Sequence, residues 1–279
     1  LILFAVGSIV SLSLGFLRME AIYLGIVLAL SSTVVVVKLL ADNHELNTLH
    51  GRIVMGILLV QDVFAVIMLS VLSSLNTFSP SLIIFALFKA ATVLVVAYFL
   101  SRFIFPDIFR FAARSHEVLL LISLAVFFFF SLLLTAVGFS IAIGAFIAGI
   151  TLGNLPYNSG IVGKIRPLRD FFITLFFVSL GMEFFLQPNI SLIFPLFIFL
   201  LIILFFKPLI IMIICSVFGY SKSTSFVSSV SLAQISEFSL IILSQGLILG
   251  QISQEIFSLG VLLGIITMTL SSYFINYGA

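Results

Sequence analysis

The chain alternates long apolar stretches with short polar ones. Cutting it where charges, Gly, Pro or Asn cluster leaves ten stretches for possible membrane spans, since a hydrocarbon core needs about 20 apolar residues per helix. They cover residues 1–17, 20–41, 52–75, 80–104, 116–137, 139–154, 166–186, 190–218, 224–249 and 255–276. These continuously apolar runs predict helices, because the strands of a membrane barrel are shorter and alternate in polarity. Two of the predicted helices meet in a very short turn at Gly138.

Composition restricts the class of protein further. Apolar residues make up 62% of the chain and charged residues 8%, against roughly 25% charged in a soluble domain. A soluble globular protein is therefore excluded, and the lipid bilayer is the expected environment. A net charge of +2 with scattered cations predicts no nucleic-acid partner. The chain has no HExxH, GxSxG, Gly-rich phosphate loop or spaced Cys pair, so we expect neither an enzyme nor a cofactor in this segment.

The positions of Lys and Arg predict an orientation. Nine cations follow the even-numbered spans, whereas only Arg18 falls in the intervening loops. The nine are Lys38, Arg52, Arg102, Arg110, Arg114, Lys164, Arg166, Arg169 and Lys222. Because basic loops stay in the cytoplasm, these loops and both ends of the chain are predicted to be cytoplasmic. The result is a multi-pass protein of the plasma or prokaryotic inner membrane.

Two spans carry a polar interruption near their middle. These are residues 31–33 in the second span and residues 234–237 in the ninth. The two spans enter the membrane from opposite sides, as paired broken helices do in an inverted-repeat transporter with its site at the midplane. Alternatively, the Ser and Thr hydroxyls bond back to their own helix backbone. No linker divides the chain, so a single membrane domain over residues 1–279 is expected.

Charged residues at membrane depth are the strongest functional signal. Asp62 lies about ten residues into the third span, a rise of about 15 Å, and Glu237 is central in the ninth. Such groups are costly in lipid and usually face a cavity or a partner. Asp62 could hold either a proton or a metal cation, or be a permanently protonated structural carboxyl. Glu237 could be a second ligand, or could bond to helix ends at the break.

Two lysines also lie within spans. Lys207 precedes Pro208 near the centre of the eighth span. It is predicted to pair with Asp62 when no ion is bound; the alternative is a fixed structural ion pair. Lys89 either extends outward to the interface or faces a neighbouring helix.

Five stretches resemble the monovalent cation:proton antiporter-2 family, and within it the Kef-type potassium/proton exchangers. They follow one another in unbroken order over nearly the whole chain. The stretches are residues 30–40, 51–62, 144–149, 169–170 with 176–182, and 232–238. The resemblance implies an all-α polytopic membrane protein with an inverted-repeat sodium/proton-antiporter-like fold and two crossed broken helices.

The resemblance also implies a mobile core, approximately residues 1–75 and 190–276, beside intervening helices 80–186. The chain begins inside an apolar run without Met, and about ten spans are present where the family has more, so it is expected to lack N-terminal spans. A homodimer of the full-length protein and a cytoplasmic nucleotide-binding regulatory domain after Ala279 are the expected partners.

The predicted function is secondary active exchange of a monovalent cation for H⁺ by alternating access, with cation and proton competing for Asp62. The Gln61-Asp62 pair resembles the potassium-exchanging branch, so K⁺ is favoured over Na⁺ as the transiently bound metal. Ser236 stands where the family usually has glycine. Alternatives are a gated cation channel and a sodium-coupled organic-solute carrier. The proposed ion and proton ligands are Asp62, Gln61, Ser31 and Thr33, and the supporting polar residues are Lys207, Glu237, Ser236, Gln234 and Ser32.

Overall fold

The computed structural model describes residues 1–74, 92–93, 95–137, 141–183 and 192–277. No β-strand occurs in these ranges, which confirms the predicted all-helical class. The α-helices are α1 (Ile2–Ser13), α2 (Arg18–Ala29), α3 (Thr33–Asp42), α4 (Leu49–Ser74), α5 (Phe105–Ala112), α6 (His116–Ala136), α7 (Ile141–Gly153), α8 (Asn158–Glu183), α9 (Ile193–Leu201), α10 (Lys207–Val217), α11 (Lys222–Ser231), α12 (Glu237–Ile248) and α13 (Gln254–Tyr277).

Two π-helical segments interrupt the regular helices. Leu100–Ile104 leads into α5, and Ile202–Phe206 joins α9 to α10 without a loop. A π turn holds one more residue than an α turn and often occurs at functional sites. The second segment directly precedes Lys207 and Pro208, the first residues of α10.

Five helical segments in the described ranges are long and apolar enough to cross a membrane. They are Arg18–Asp42, Leu49–Leu69, Glu117–Ala136, Ile193–Val217 and Gln254–Ser271. Shorter apolar helices cover Ile2–Ser13, Ile143–Gly153 and Glu237–Ile248. The predicted count of ten spans therefore remains a prediction. The expected boundary at Gly138, most of the predicted span 80–104, and Lys89 lie outside the described residues.

Several cations expected in loops lie in helices instead. Arg110 is in the short helix α5, and Lys164, Arg166 and Arg169 are in the first half of α8. Lys and Arg are good helix formers, and their long stems let a helix continue beyond the apolar layer. Helix α8 even includes Pro167. A cluster of Lys and Arg residues therefore does not by itself predict where a helix ends.

The chain forms two compact units, one of residues 1–65 with 182–279 and one of residues 66–181. In the first unit, α1 packs closely on α2, where Gly7 approaches Gly25. A buried apolar cluster in the same unit brings together α3, α4, α10 and the end of α11. Its members are Val36, Leu40, Val54, Leu58, Ile211, Cys215 and Leu232.

In the described part of the second unit, α6 and α7 pack closely against each other. A Cβ atom added at Gly144 would come within 2.5 Å of the Ser131 Cα atom and 2.6 Å of the Phe130 carbonyl oxygen. The pair therefore depends on the absence of a side chain at Gly144, as is common where membrane helices pack tightly. Phe130 is fully buried there and meets Phe105 of α5 edge to face.

Candidate functional site

The second predicted span is interrupted between α2 and α3. Leu30 and Ser32 both have extended backbone conformations. The Ser32 hydroxyl accepts a hydrogen bond of 3.2 Å from the Val35 N–H and so caps α3. Ser32 therefore starts the second half-helix, and Thr33 is the first residue of that half.

The ninth predicted span is interrupted between α11 and α12. Ser236 caps α12 by accepting a 3.1 Å hydrogen bond from the Phe238 N–H. Within the break, the Ile235 N–H lies 3.4 Å from the Thr267 hydroxyl of α13. The Gln234 side-chain oxygen accepts a hydrogen bond from the Ser271 hydroxyl. Helix α13 thus supplies a partner for one main-chain N–H of the break and another for the Gln234 side chain.

The two breaks contact each other in the first unit. The Ser31 hydroxyl donates a 3.1 Å hydrogen bond to the Leu232 carbonyl oxygen. The Val34 N–H at the start of α3 donates a 3.2 Å bond to Oε1 of Glu237, the first residue of α12. A carboxylate is favourable beside helix N-termini, where free N–H groups carry partial positive charge. Glu237 therefore joins the starts of both half-helices.

Lys207 joins the other two half-helices at their C-terminal ends. Its Nζ donates 2.7 Å hydrogen bonds to the carbonyl oxygens of Leu30, which follows α2, and Gln234, which follows α11. The lysine is fully buried. Carbonyls at helix ends lack helical partners and carry partial negative charge, so the ammonium group satisfies both ends together.

The expected ion pair between Lys207 and Asp62 is not formed. Within the described residues, no carboxylate oxygen lies within 4 Å of Lys207 Nζ. The physical reason is that the ammonium group already donates hydrogen bonds to two main-chain oxygens, which are buried away from water and need a donor.

Asp62 of α4 lies beside the first break. The Thr33 hydroxyl is 3.0 Å from both carboxylate oxygens of Asp62. The neighbouring Gln61 spans the break, because its Oε1 accepts a 3.0 Å bond from the Ser31 N–H and its Nε2 donates a 3.3 Å bond to the Ala29 carbonyl. Asp62 is only partly buried, so its carboxylate combines a fixed orientation with some access.

Asp62 and Glu237 are close enough for their charges to interact. The second Glu237 oxygen, Oε2, and the Gln234 amide nitrogen are both buried without a hydrogen-bond partner among the described residues. Such atoms are rare in proteins, and the Glu237 Oε2 atom can accept a further hydrogen bond or bind a cation. The described ranges hold no cluster of three His, Cys, Asp or Glu side chains, so any cation here would rely on mixed carboxylate, hydroxyl and main-chain oxygens.

The structure thus brings Asp62, Thr33, Gln61, Ser31 and Glu237 around the two breaks. The carbonyls that bind Lys207 were not predictable from the sequence, because every residue has a main-chain carbonyl. A pair of hydroxyls on α13 was not predicted either. Those residues, Thr267 and Ser271, are four positions apart in an apolar helix, which places them on one face; that spacing was the available signal.

Apolar helices long enough to cross a bilayer, with charged side chains buried at helix breaks, define a multi-pass integral membrane protein. Residues 1–276 match the family model described as "Sodium/hydrogen exchanger, transmembrane". The chain belongs to this family, which is a family of transporters.

Individual relatives are consistent with that membership. The chain is 28% identical to K(+) efflux antiporter 4 of Arabidopsis thaliana over 90% of this chain and 44% of that protein. It is 29% identical to K(+) efflux antiporter 6 of the same plant over 97% of this chain and 46% of that protein. It is also 36% identical to the glutathione-regulated potassium-efflux system protein KefC of Escherichia coli, over 57% of this chain and 27% of that protein. These matches confirm the predicted Kef-type resemblance, and the chain spans less than half the length of these relatives.

Proposed function

We propose that this chain belongs to a secondary active antiporter that exchanges a monovalent cation, K⁺ in preference to Na⁺, for H⁺. The observation that carries the proposal is the Asp62 carboxylate, held by Thr33 beside a helix break and within electrostatic reach of Glu237. Family membership supports a transporter rather than an enzyme. The names of the relatives, all potassium efflux proteins, support K⁺.

Competition at one carboxyl group couples the two fluxes. When Asp62 carries a proton, it has no negative charge to attract a cation. When the proton leaves, the carboxylate can bind one monovalent cation, and the Thr33 hydroxyl keeps its two oxygens oriented. One proton then exchanges for one cation, and the charge at this group balances. The second carboxylate, Glu237, strengthens cation binding by adding negative potential.

The other polar side chains at the breaks hold the site in shape. The Ser31 hydroxyl and the Gln61 side chain are engaged with main-chain atoms of the two breaks, so we assign them to holding the site open rather than to direct binding. Ser32, Ser236 and Gln234 keep the helix ends in place, as does Lys207. A small displacement of the breaks would then change which side of the membrane Asp62 faces.

We also propose that the chain has the architecture implied by the family resemblance. This architecture has ten spans in this chain, an inverted repeat with crossed broken helices, and a core of residues 1–75 and 190–276 that moves against residues 80–186. The opposite charge at the two junctions, with Lys207 at the C-terminal ends and Glu237 at the N-terminal ends, supports the crossing. We further propose that the full-length protein is a homodimer, that a nucleotide-binding regulatory domain follows Ala279, and that the basic loops are cytoplasmic.

Asp62→Asn tests the central step. In reconstituted vesicles, an imposed K⁺ gradient should drive H⁺ flux through the native protein, and Asp62→Asn should reduce this flux to the level of empty vesicles, because an amide cannot exchange a proton for a cation. Asp170→Asn is the matched control, since Asp170 is exposed and bonded to the neighbouring Arg169. Normal exchange by Asp62→Asn would refute the mechanism. Repeating the assay with Na⁺ should give a slower flux.

A further inference from the structure

A cavity in the first unit has an apolar lining, unlike the polar site around the two helix breaks. It has a volume of about 440 Å³ and lies against the π-helical segment Ile202–Phe206, α10, α11 and α13. Its walls include Phe205, Pro208, Met212, Phe226 and Phe274. The hydroxyl of Ser229, the polar side chain in its lining, already donates a 2.7 Å hydrogen bond to the Phe226 carbonyl. An occupant would therefore meet an apolar surface, which excludes a hydrated ion.

The cavity follows one stripe of α11 towards the membrane surface. Its lining residues Phe226 and Val230 are four positions apart on α11, so they lie on one helix face, and Ala233 lies just past the end of the helix. Four positions before Phe226, on the same face, is Lys222, the exposed first residue of α11. Lys222 makes no ion pair within the described part of the chain. An unpaired cation therefore lies one helical turn beyond the Phe226 end of the apolar groove.

The distance from Lys222 to the inner end of the groove matches one leaflet. From Lys222 to Val230, α11 rises about 12 Å, and the groove continues past the helix end to Ala233. That reach approaches half of a hydrocarbon core about 30 Å thick. One acyl chain has this length when its headgroup lies at the membrane surface.

We propose that this groove binds one acyl chain of an anionic phospholipid, with the headgroup beside Lys222. Juxtamembrane cations attract anionic lipids, and the apolar walls select the chain. Pro208 in the wall follows Lys207, and Ala233 precedes Gln234. The lipid therefore packs directly behind the residues that hold the two helix ends together. Its binding does not depend on ion exchange, so it can be measured without transport.

Native mass spectrometry of the purified protein with added lipid tests the proposal. The native protein should retain one phosphatidylglycerol at concentrations where phosphatidylcholine is not retained. Shortening the acyl chains from sixteen to eight carbons should abolish retention, a comparison that needs no variant. Retention of both headgroups alike, or of short and long chains alike, would overturn the proposal.

Two matched pairs of variants locate the site. Val230→Phe should abolish retention by filling the groove, whereas Val217→Phe should not, because Val217 is 80% exposed on α10 and outside the groove. Lys222→Gln should lower the preference for phosphatidylglycerol about fivefold, and Lys164→Gln should leave it unchanged. Equal retention by Val230→Phe and the native protein would refute the assignment. A retained mass matching a free fatty acid would identify a different occupant and refute the assignment. So would a native protein that retains no lipid but whose oligomeric state changes in Val230→Phe.

Discussion

The Thr33 hydroxyl is the residue-scale feature that fixes the orientation of Asp62. It lies 3.0 Å from each carboxylate oxygen, and a hydrogen bond to a charged group contributes about 1.5–3 kcal/mol. A carboxylate without this donor would rotate away from the break more often. The hydroxyl therefore affects how tightly the proposed cation binds.

We expect Thr33→Val to raise the apparent KM for K⁺ about tenfold, the factor that corresponds to about 1.4 kcal/mol, in vesicle H⁺-flux assays. Thr33→Ser keeps the hydroxyl and should remain within about twofold of the native protein. Thr135→Val is a further control, because the Thr135 hydroxyl bonds within its own helix to Ser131. An unchanged KM in Thr33→Val would show that the hydroxyl does not support the site.

Lys207 makes a second prediction at this scale. Replacing it with Met leaves the Leu30 and Gln234 carbonyls without their buried donor, and each unsatisfied group costs about 1–3 kcal/mol. Lys207→Met should therefore lower the free energy of unfolding in detergent by about 2–4 kcal/mol, and Lys207→Gln by less. Lys164→Met, at an exposed position of α8, is the control. Greater stability in Lys207→Met would mean that the cost of burying the ammonium exceeds the value of its two bonds.

The sequence predicted which side chains matter more readily than what they contact. Asp62, Glu237 and Lys207 were selected because charge is rare within apolar spans. The Thr33–Asp62 contact depends on how α3 and α4 are rotated about their axes, and periodicity does not specify that rotation. The predicted Lys207–Asp62 pair was wrong for this conformation, because pairing by charge alone ignores main-chain acceptors.

At the scale of elements, helix breaks were predictable and π segments were not. A run of polar residues in an apolar span indicates where helical hydrogen bonds end, and both predicted interruptions coincide with breaks in the structure. The segment Ile202–Phe206 is wholly apolar, so its altered hydrogen bonding leaves no such signal. The close helix packing at glycine was likewise not predictable from the sequence, because a glycine lies in a tight contact only when a partner helix packs against it.

The two helices α6 and α7 offer a matched glycine test. Gly144→Ala would place a Cβ atom against the Ser131 backbone of α6, whereas nothing lies within 4 Å of a Cβ atom at Gly149. We expect Gly144→Ala to lower the free energy of unfolding by about 1–3 kcal/mol. Gly149→Ala should raise it by up to about 1 kcal/mol through helix propensity. Thermal unfolding of both variants in the same detergent measures the difference, and equal effects would contradict the close approach.

At the scale of the whole molecule, the low charge content was sufficient to predict a membrane protein. The count of ten spans remains a prediction, because five segments of the described residues are long and apolar enough to cross a membrane and other apolar helices there are shorter. The orientation rests on the distribution of Lys and Arg and can be tested directly.

Single-cysteine labelling in a Cys215→Ser background tests this orientation. Cys215 is the one cysteine of this chain, so replacing it with Ser removes the one native thiol that a maleimide could label. A membrane-impermeant maleimide should label Arg18→Cys from outside sealed cells and Arg110→Cys only in inside-out vesicles. Arg110 is suitable because its side chain is 73% exposed. Labelling of both positions from the same side would invalidate the orientation.

The junction at Lys207 also affects how this protein can vary. Its two acceptors are main-chain oxygens, which every amino acid supplies, so the side chains at positions 30 and 234 can change without removing either bond. The lysine has no such freedom, because its amine reaches two chain segments at once. Genetic drift can therefore alter one half of this contact while the other half stays fixed, and covariation between the two halves would not reveal it.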